Sequence, residues 1–286
     1  MRSEEKSTHD ISAAAIARRV ELSEAHAYEQ MMRGVTHNIA ERYGLSCQRV
    51  GSAVALFANG FGKSLILNRV IGLGVCESVT RDDLELIDIL YAEGKASIYA
   101  LEISPTSGPS DLPSTLKARG FFRFKQTAML HRRVELIAQP SCALSIGRAR
   151  PDQAAVFGAI CVEVFGLDEP IRSLLAATFS GPDWQHWLAF DGEDAVGAAI
   201  THIAGDVAWF GWVGTLPSHR GRGVQSALTA AQLQGAYDSG CRWVTLETAT
   251  GTADQPNQSY RNYCRLGWTV AHHRAVYVYR GRRSLA

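Results

Sequence analysis

The stretch "LPSHRGRGVQSAL", residues 216–228, places two arginines and two glycines directly before a segment with helical spacing of apolar residues. The apolar stripe that predicts this helix consists of Val224, Ala227, Leu228 and Ala231. The preceding "DVAWFGWVGT" is rich in aromatic and β-branched residues and predicts a strand. A glycine-rich turn at this junction gathers free backbone amides and the positive end of the helix dipole. The pattern therefore predicts a phosphate-binding turn, and a tight turn with solvated arginines is the alternative.

Composition restricts the possible classes of protein. The 286 residues are 46% apolar and 20% charged, which is enough for a full core, and the length predicts two domains. The formal net charge of +1 gives no electrostatic basis for binding nucleic acid or an anionic membrane, so neither is an expected partner. The start, "MRSEEKSTHD", lacks the apolar region of a signal peptide, and no run approaches the ~20 apolar residues of a membrane span. We therefore expect a cytoplasmic protein.

A metal site is not predicted. The six cysteines are scattered without a CxxC pair, so we expect them to be small core residues rather than ligands or disulfide partners. His272 and His273 are adjacent in a predicted strand, where they would point to opposite faces and could not share a metal from one side.

The chain divides into two halves that end in the same order of predicted elements. "LKARGF" in the first half and "YCRLGW" in the second each precede a final strand. We predict an α/β class (α+β mixed sheet) with two tandem domains, each a mostly antiparallel twisted sheet flanked by helices. The first domain covers residues 1–136, "IAQPS" at 137–141 is the linker, and the second domain covers residues 142–286.

The second half resembles the GCN5-related N-acetyltransferases over roughly residues 143–280. Their signature, [Q/R]-x-x-G-x-[G/A], is matched at Arg220 and Gly223, whereas Gln225 stands at the last small position. The segment "YCRLGW" is similar to the closing motif of the family, Y-x-[K/R]-x-G-[F/W], and follows about 40 residues later. The resemblance implies two tandem acyl-CoA N-acyltransferase-like domains, of which the second is catalytic.

The resemblance also implies acetyl-CoA as a co-substrate, with no metal. The strand end, Val213, Gly214 and Thr215, would offer backbone groups to the pantetheine arm. The pyrophosphate would be held by the turn and the first helical residues, namely Arg220, Gly221, Arg222, Gly223, Val224, Gln225 and Ser226, with charge-assisted contacts from the arginine side chains. Asn257 is a further candidate cofactor contact, and the alternative is that it caps a helix beginning around Gln255.

Transfer to an amine requires a base for the attacking nitrogen and an acid for the departing thiolate. The resemblance implies that Tyr263 is the general acid, and a tyrosine that only packs its ring is the alternative. Glu247 stands where some family members that acetylate protein N-termini have a catalytic glutamate. It is the candidate base, with a solvated strand glutamate as the alternative.

We therefore expect an N-acetyltransferase that moves an acetyl group from acetyl-CoA to a primary amine by direct attack. A non-catalytic CoA-binding sensor or scaffold is the alternative function. The acceptor is expected to be a small-molecule or peptide amine, and "FGLDEPIRSLLAATF" is its expected wall. A homodimer is left open.

The first half repeats the signature in the wrong context. "RVIGLG", residues 69–74, matches literally, but it lies in an apolar run and "CESVT" separates it from the next predicted helix. Leu116 stands at the position equivalent to Tyr263 and cannot donate a proton. "GFGKS", residues 60–64, is similar to the end of a P-loop, but Phe57 stands where the pattern requires glycine. We expect a degenerate acetyltransferase-like domain without an ATP site.

Overall fold

The computed structural model describes residues 12–280 except 139, 168, 253, 254 and 256. Within these residues, eleven strands form one continuous sheet, which helices cover on both faces. The helices are α1 (Ala13–Arg33), α2 (His37–Tyr43), α3 (Arg81–Glu93), α4 (Leu112–Ala118), α5 (Ala154–Phe165), α6 (Glu169–Ala177), α7 (Val224–Asp238) and α8 (Gln258–Arg265). The strands are β1 (Leu45–Val50), β2 (Ala53–Ala58), β3 (Arg69–Ile71), β4 (Ile98–Ile103), β5 (Phe122–Arg133), β6 (Ser145–Arg148), β7 (Trp184–Asp191), β8 (Asp194–Ala204), β9 (Val207–Thr215), β10 (Trp243–Ala249) and β11 (Thr269–Arg280).

The two halves exchange their last strands. The sheet order is β1-β2-β3-β4-β11-β5-β10-β9-β8-β7-β6, so β11 lies between two first-half strands and β5 lies between two second-half strands. Among the described strands, only β3–β4 and β9–β10 are parallel pairs. The predicted mixed and mostly antiparallel character is confirmed, but the expectation of one sheet for each half is corrected to a single shared sheet.

Strand length explains the exchange. β5 and β11 are each 12 residues long, and each one pairs along both of its edges. β5 pairs with β10 from Arg133 to Thr127 and with β11 from His131 to Phe122. Both long strands therefore lie inside the sheet and present few unpaired backbone groups. The predicted linker at 137–141 stays a prediction, because β5 before it pairs with β10 and β11 after it.

Alternation along the strands assigns the helices to two faces. Ala198 and Ile200 of β8 pack in the cluster that holds residues of α1, α5 and α6, whereas Ala199 packs with Val224 and Leu228 of α7. In the first half, α3 and α4 share the face of α7 and α8. Helix α1 contacts strands of both halves, so the first half covers part of the sheet that belongs to the second.

Some cysteines lie outside the core. Cys161 and Cys241 are buried as expected, but Cys76 and Cys264 are exposed, and this corrects the expectation that all six are core residues. His272 is buried and its Nε2 lies 2.7 Å from Glu21 Oε1, while His273 is exposed. The two histidines point to opposite faces, as predicted. In the part of the chain that the structure describes, no helix combines the length and apolar character that crossing a bilayer would need.

The strand exchange predicts that neither half folds alone. A fragment of residues 1–141 would leave β5 without β10 and β11, and a fragment of residues 142–286 would leave β11 without β4 and β5. We expect each purified fragment to lack a cooperative thermal transition, and a refolded mixture to regain one. A cooperative transition of either fragment by itself, followed by circular dichroism, would contradict this.

Candidate functional site

A cleft opens where β9 and β10 part. Their parallel pairing runs from Trp243↔Val207 to Leu246↔Phe210 and ends there. Trp212 has a φ of 51° and lies where the register between β8 and β9 shifts. An extra residue in a strand bends it, and a positive φ at an aromatic residue is uncommon and strained. The bulge turns β9 away from β10 and opens a cleft of about 830 Å³.

Nearly all the predicted site residues line this cleft. The lining includes both candidate catalytic residues, Glu247 and Tyr263. It also includes the predicted cofactor contacts Val213, Gly214, Thr215, Arg220, Gly221, Gly223, Val224, Gln225, Ser226 and Asn257. Arg222 is the exception. Since β9 has no partner on the β10 side beyond Phe210, its last residues present free backbone groups to the cleft.

The turn before α7 has the backbone geometry of an anion site. Gly221 and Gly223 both have a φ of 79°, which glycine adopts without strain. A Cβ on Gly223 would lie 2.5 Å from the carbonyl oxygen of Ser141, whereas a Cβ on Gly221 would meet open space. No side chain caps α7, and within the described chain the backbone amides of residues 221–226 have no acceptor. These orphan donors at a helix start fit a diphosphate.

The two arginine side chains of the turn differ. Arg220 lines the cleft and its Nε donates to the carbonyl of Thr215 at 3.3 Å. Arg222 Nη1 donates instead to Asp191 Oδ2 at 2.6 Å, and this hydrogen bond holds the pKa of Asp191 below its ordinary value. The guanidinium of Arg222 is thus directed to β7, and a contact of its side chain with the cofactor stays a prediction.

Gln225 connects α7 to α8. Its Nε2 donates to Ser259 Oγ at 2.6 Å, and its Oε1 accepts from Asn262 Nδ2 at 2.5 Å. Both ends of the side-chain amide are thus occupied. The residue that departs from the family signature fixes the position of the helix that carries Tyr263, and its backbone amide remains available to an anion.

Asn257 caps α8. Its Oδ1 accepts hydrogen bonds from the amides of Ser259 and Tyr260 at 2.8 and 3.2 Å. The capping alternative is confirmed, with the helix beginning at Gln258 rather than near Gln255. Asn257 also borders the cleft, so a cofactor contact through its Nδ2 stays a prediction.

Tyr263 lies in α8 with its ring packed against Trp268, and only 4% of the residue is exposed. Burial raises the pKa of its phenol to about 12, and hydrogen bonds with Gln225, Thr229 and Ser259 oppose part of that increase. The phenol therefore keeps its proton at neutral pH and can donate it into the cleft.

Glu247 is tied to arginines rather than free in solvent. Its Oε2 lies 2.9 Å from Arg274 Nη2 and 3.7 Å from Arg69 Nη1, and its side chain is 23% exposed. Burial by itself raises the pKa of Glu247, but the two guanidinium groups outweigh burial and hold this pKa well below its ordinary value. Glu247 alone is consequently a weak base at neutral pH. The alternative of a solvated strand glutamate does not describe this environment either.

The structure adds residues that sequence reasoning missed. Phe165 and Trp212 border the cleft with their rings 5.6 Å apart, edge to face. Of the predicted acceptor wall, only Phe165 lines the cleft among the described residues, and α6 packs into the core instead. Glu24 of α1 lies beside Glu247 and is buried. An acid on the apolar face of a predicted helix was the available sequence signal for Glu24.

The equivalent place in the first half is filled by protein. β3 and β4 are its parallel pair, but the segment after β4 folds back onto the turn after β3. Gly108 exchanges backbone hydrogen bonds with Gly74 and Val79 at 2.9 Å, and Ser107 Oγ donates to the carbonyl of Leu73 at 2.6 Å. The residues of "RVIGLG" that precede this turn pair within the sheet.

The first-half helix start also differs in charge. Thr80 and Asp83 form a capping box at α3, which satisfies amides that α7 leaves free, and Asp82 and Asp83 add negative charge to the first turn. An anion would be repelled there. Leu116, in the position of Tyr263, is fully buried in α4. In the part of the first half that the structure describes, the equivalent place thus has neither free amides at a helix start nor a tyrosine in the position of Tyr263.

Comparison with known proteins supports the predicted family resemblance and fold. Residues 160–268 match the model of the acetyltransferase (GNAT) family. The fold is similar to a GCN5-related N-acetyltransferase from Kribbella flavida, with a TM-score of 0.64 and 19% identity over 93% of this chain and 97% of that one. It is also similar to a tandem GNAT protein from the clavulanic acid biosynthesis pathway, with a TM-score of 0.54 and 14% identity over 94% and 96% of the two chains. Comparison with curated proteins gave no match.

The match to the GNAT family model covers residues 160–268, and the fold of the whole chain is similar to that of a tandem GNAT protein. The resemblance inferred from the two motifs is confirmed, and it supports acyl transfer as the general activity.

The proposed anion-binding turn, residues 220–226, can be tested at Gly221, where an added side chain would meet open space. We expect Gly221→Asp to weaken acetyl-CoA binding about tenfold or more, because its carboxylate would face the diphosphate. Gly221→Asn is the matched control, since both residues tolerate a positive φ and differ in charge. The two Kd values come from calorimetric titration. Equal affinities of the two variants would place the diphosphate elsewhere.

Proposed function

We propose that the protein is an N-acetyltransferase that moves the acetyl group of acetyl-CoA to a primary amine by direct attack. The observation that supports this most strongly is one cleft bordered by both the uncapped, glycine-rich start of α7 and the buried phenol of Tyr263. The first feature suits a diphosphate, and the second suits a leaving thiolate. The acceptor is a small-molecule or peptide amine, and the reaction is expected in the cytoplasm.

The cleft offers groups for each part of acetyl-CoA. The amides of residues 221–226 suit the diphosphate, with Arg220 close enough to add charge. The unpaired backbone edge of Val213–Thr215 suits the pantetheine amides, because it can hydrogen-bond with them as a neighbouring strand would. When bound there, acetyl-CoA supplies the activated acyl thioester.

Tyr263 acts as the general acid in this proposal. As the amine nitrogen bonds to the acyl carbon, the carbon–sulfur bond breaks and the departing thiolate takes the phenolic proton. The raised pKa of Tyr263 keeps this proton in place over the physiological range. Gln225 supports this arrangement because its hydrogen bonds hold α8 against α7. Helix α8 carries Tyr263, and α7 begins at the anion-binding turn.

A non-catalytic CoA-binding sensor is the second candidate. The observation that favours it is the pairing of Glu247 with Arg274 and Arg69, because this pairing makes the candidate base a weak one. A panel of amines assayed for CoA release separates the two functions. We expect steady release with at least one amine class. Binding of acetyl-CoA without any release above the hydrolysis background would support the sensor.

The acid can be tested with Tyr263→Phe. The ring still packs against Trp268, so the stability loss should stay near the ~1 kcal/mol of one hydrogen bond. Loss of a general acid should lower kcat by ~10²-fold or more, with little change in acetyl-CoA affinity. Turnover and Tm are measured together. An unchanged kcat, under conditions where chemistry limits the rate, would make Tyr263 a packing residue.

A further inference from the structure

Four carboxyl groups and two guanidinium groups lie together between α1 and the centre of the sheet, and all of them except Glu247 are buried. The acids are Glu21 and Glu24 of α1, Glu102 of β4 and Glu247 of β10, and the bases are Arg69 of β3 and Arg274 of β11. Residues from both halves of the chain meet here. We refer to these six residues as the charge cluster.

Arg274 lies at the centre of the charge cluster and is fully buried. Its Nη1 donates to Glu21 at 3.1 Å and to Glu24 at 2.7 Å. Its Nη2 lies 2.9 Å from both Glu102 and Glu247, at ion-pair distance rather than in aligned hydrogen bonds. Arg69 adds a hydrogen bond to Glu102 at 2.7 Å and a longer contact with Glu24 at 3.5 Å.

The acids outnumber the guanidinium groups, and buried charge without a partner is costly. The other titratable groups that face the cluster are His272, Lys125 and Tyr28. His272 pairs with Glu21, Lys125 acts on Glu247, and Tyr28 packs under Arg69. None of these three groups places a positive charge next to Glu24. The excess of negative charge in the cluster is smallest if Glu24 holds a proton.

Glu24 lies close to the carboxylate that faces the cleft. One carboxyl oxygen of each of Glu24, Glu102 and Glu247 lies within 4.8 Å of the other two. Burial raises the pKa of Glu24, and the Glu24 carboxyl group helps to lower the pKa of Glu247. Of the charge cluster, only Glu247 lines the cleft in the part of the chain that the structure describes. Glu247 and Glu24 therefore form a two-carboxyl path from the cleft to the interior.

We propose that Glu24, supplied by the first half, is a positioning residue that takes over the proton which Glu247 removes from the acceptor ammonium. The step takes place in molecules in which Glu24 has first released its own proton. The N–H bond then breaks with its electron pair left on nitrogen, an O–H bond forms on Glu247, and the proton passes from Glu247 to the ionised carboxylate of Glu24. The inference rests on the proposed transferase function. It explains how an arginine-paired Glu247, a weak base alone, can still serve as the contact with the amine.

The test compares Glu24→Gln with the wild type over a pH series from about 5 to about 9.5. The ratio of wild-type to variant kcat/KM is used, because ionisation of the acceptor affects both proteins equally and cancels. We expect the ratio to stay near one at acidic pH and to rise about tenfold or more as Glu24 ionises. Glu24→Asp keeps a titratable carboxyl group, so its kcat/KM at alkaline pH should lie between those of Glu24→Gln and the wild type.

Glu21→Gln is the matched control, because Glu21 lies one turn earlier on α1, bonds the same Arg274, and does not line the cleft. Its ratio should be constant with pH. A constant ratio for Glu24→Gln, whatever its size, would overturn the proposal and leave Glu24 a structural residue. If Glu24→Gln does not fold, Glu24→Met is judged by the same criterion. If the wild type itself transfers no acyl group to any amine, the proposed function fails first.

A second readout needs no acceptor. A carboxyl group whose pKa is raised in the folded state stabilises the fold at low pH, and this contribution is lost as the pH rises through the raised pKa. The Tm of the wild type, measured relative to Glu24→Gln, should therefore fall as the pH rises above the ordinary glutamate range. A Tm difference that does not change with pH would show that Glu24 holds no buried proton, and would overturn the proposal.

Discussion

β9 and β10 stop pairing after Phe210 and Leu246, and the candidate site depends on this separation. The bulge at Trp212 directs β9 away from β10, so the edge of Val213–Thr215 that faces β10 has no paired strand among the described residues. The chain then enters a turn whose glycines present free amides, while β10 carries Glu247 on the opposite side. If the two strands paired to their ends, the sheet would be continuous there and no cleft would exist.

The two halves of the chain contribute differently to the candidate site. In the first half, the segment around Gly108 fills the equivalent opening, and the capping box of Thr80 and Asp83 occupies the helix start. The first half nevertheless supplies β5, which separates β10 from β11, and α1, which covers the charge cluster. The burial of Arg274 and its contacts with Glu21 and Glu24 require both halves at once. The first half, whose equivalent turn is filled and capped, is therefore still needed for the site in the second half.

Local features of the site could be predicted from the sequence. The turn with free amides before α7 depends on Gly221 and Gly223 and on the helix that follows, and all of these lie within one short segment. The capping alternative for Asn257 was equally local and was correct. The two motifs that resemble the GNAT family predicted the fold class and placed Tyr263 beside the turn. Each of these inferences needed only residues near one another in the chain or a recognised pattern.

The features that sequence reasoning missed are non-local. Pairing of β5 with β10 joins residues such as Thr127 and Ala249 that are far apart in the chain, and no periodicity reveals which of two similar sheets a strand will join. Glu24 and Arg274 read as ordinary helix and strand residues until folding brings them together. Gln225 was expected beside the pyrophosphate. The sequence motif does not show that its side-chain partners, Ser259 and Asn262, lie on another helix.

The most direct measurement is a calorimetric titration of the full-length protein with acetyl-CoA. The second-half cleft has the free helix start, the open strand edge and the buried acid, whereas the first-half equivalent is filled and capped with acids. The predicted result is one binding site per chain. Two equal sites per chain, or no binding at all, would contradict the assignment of the second-half cleft as the acetyl-CoA site.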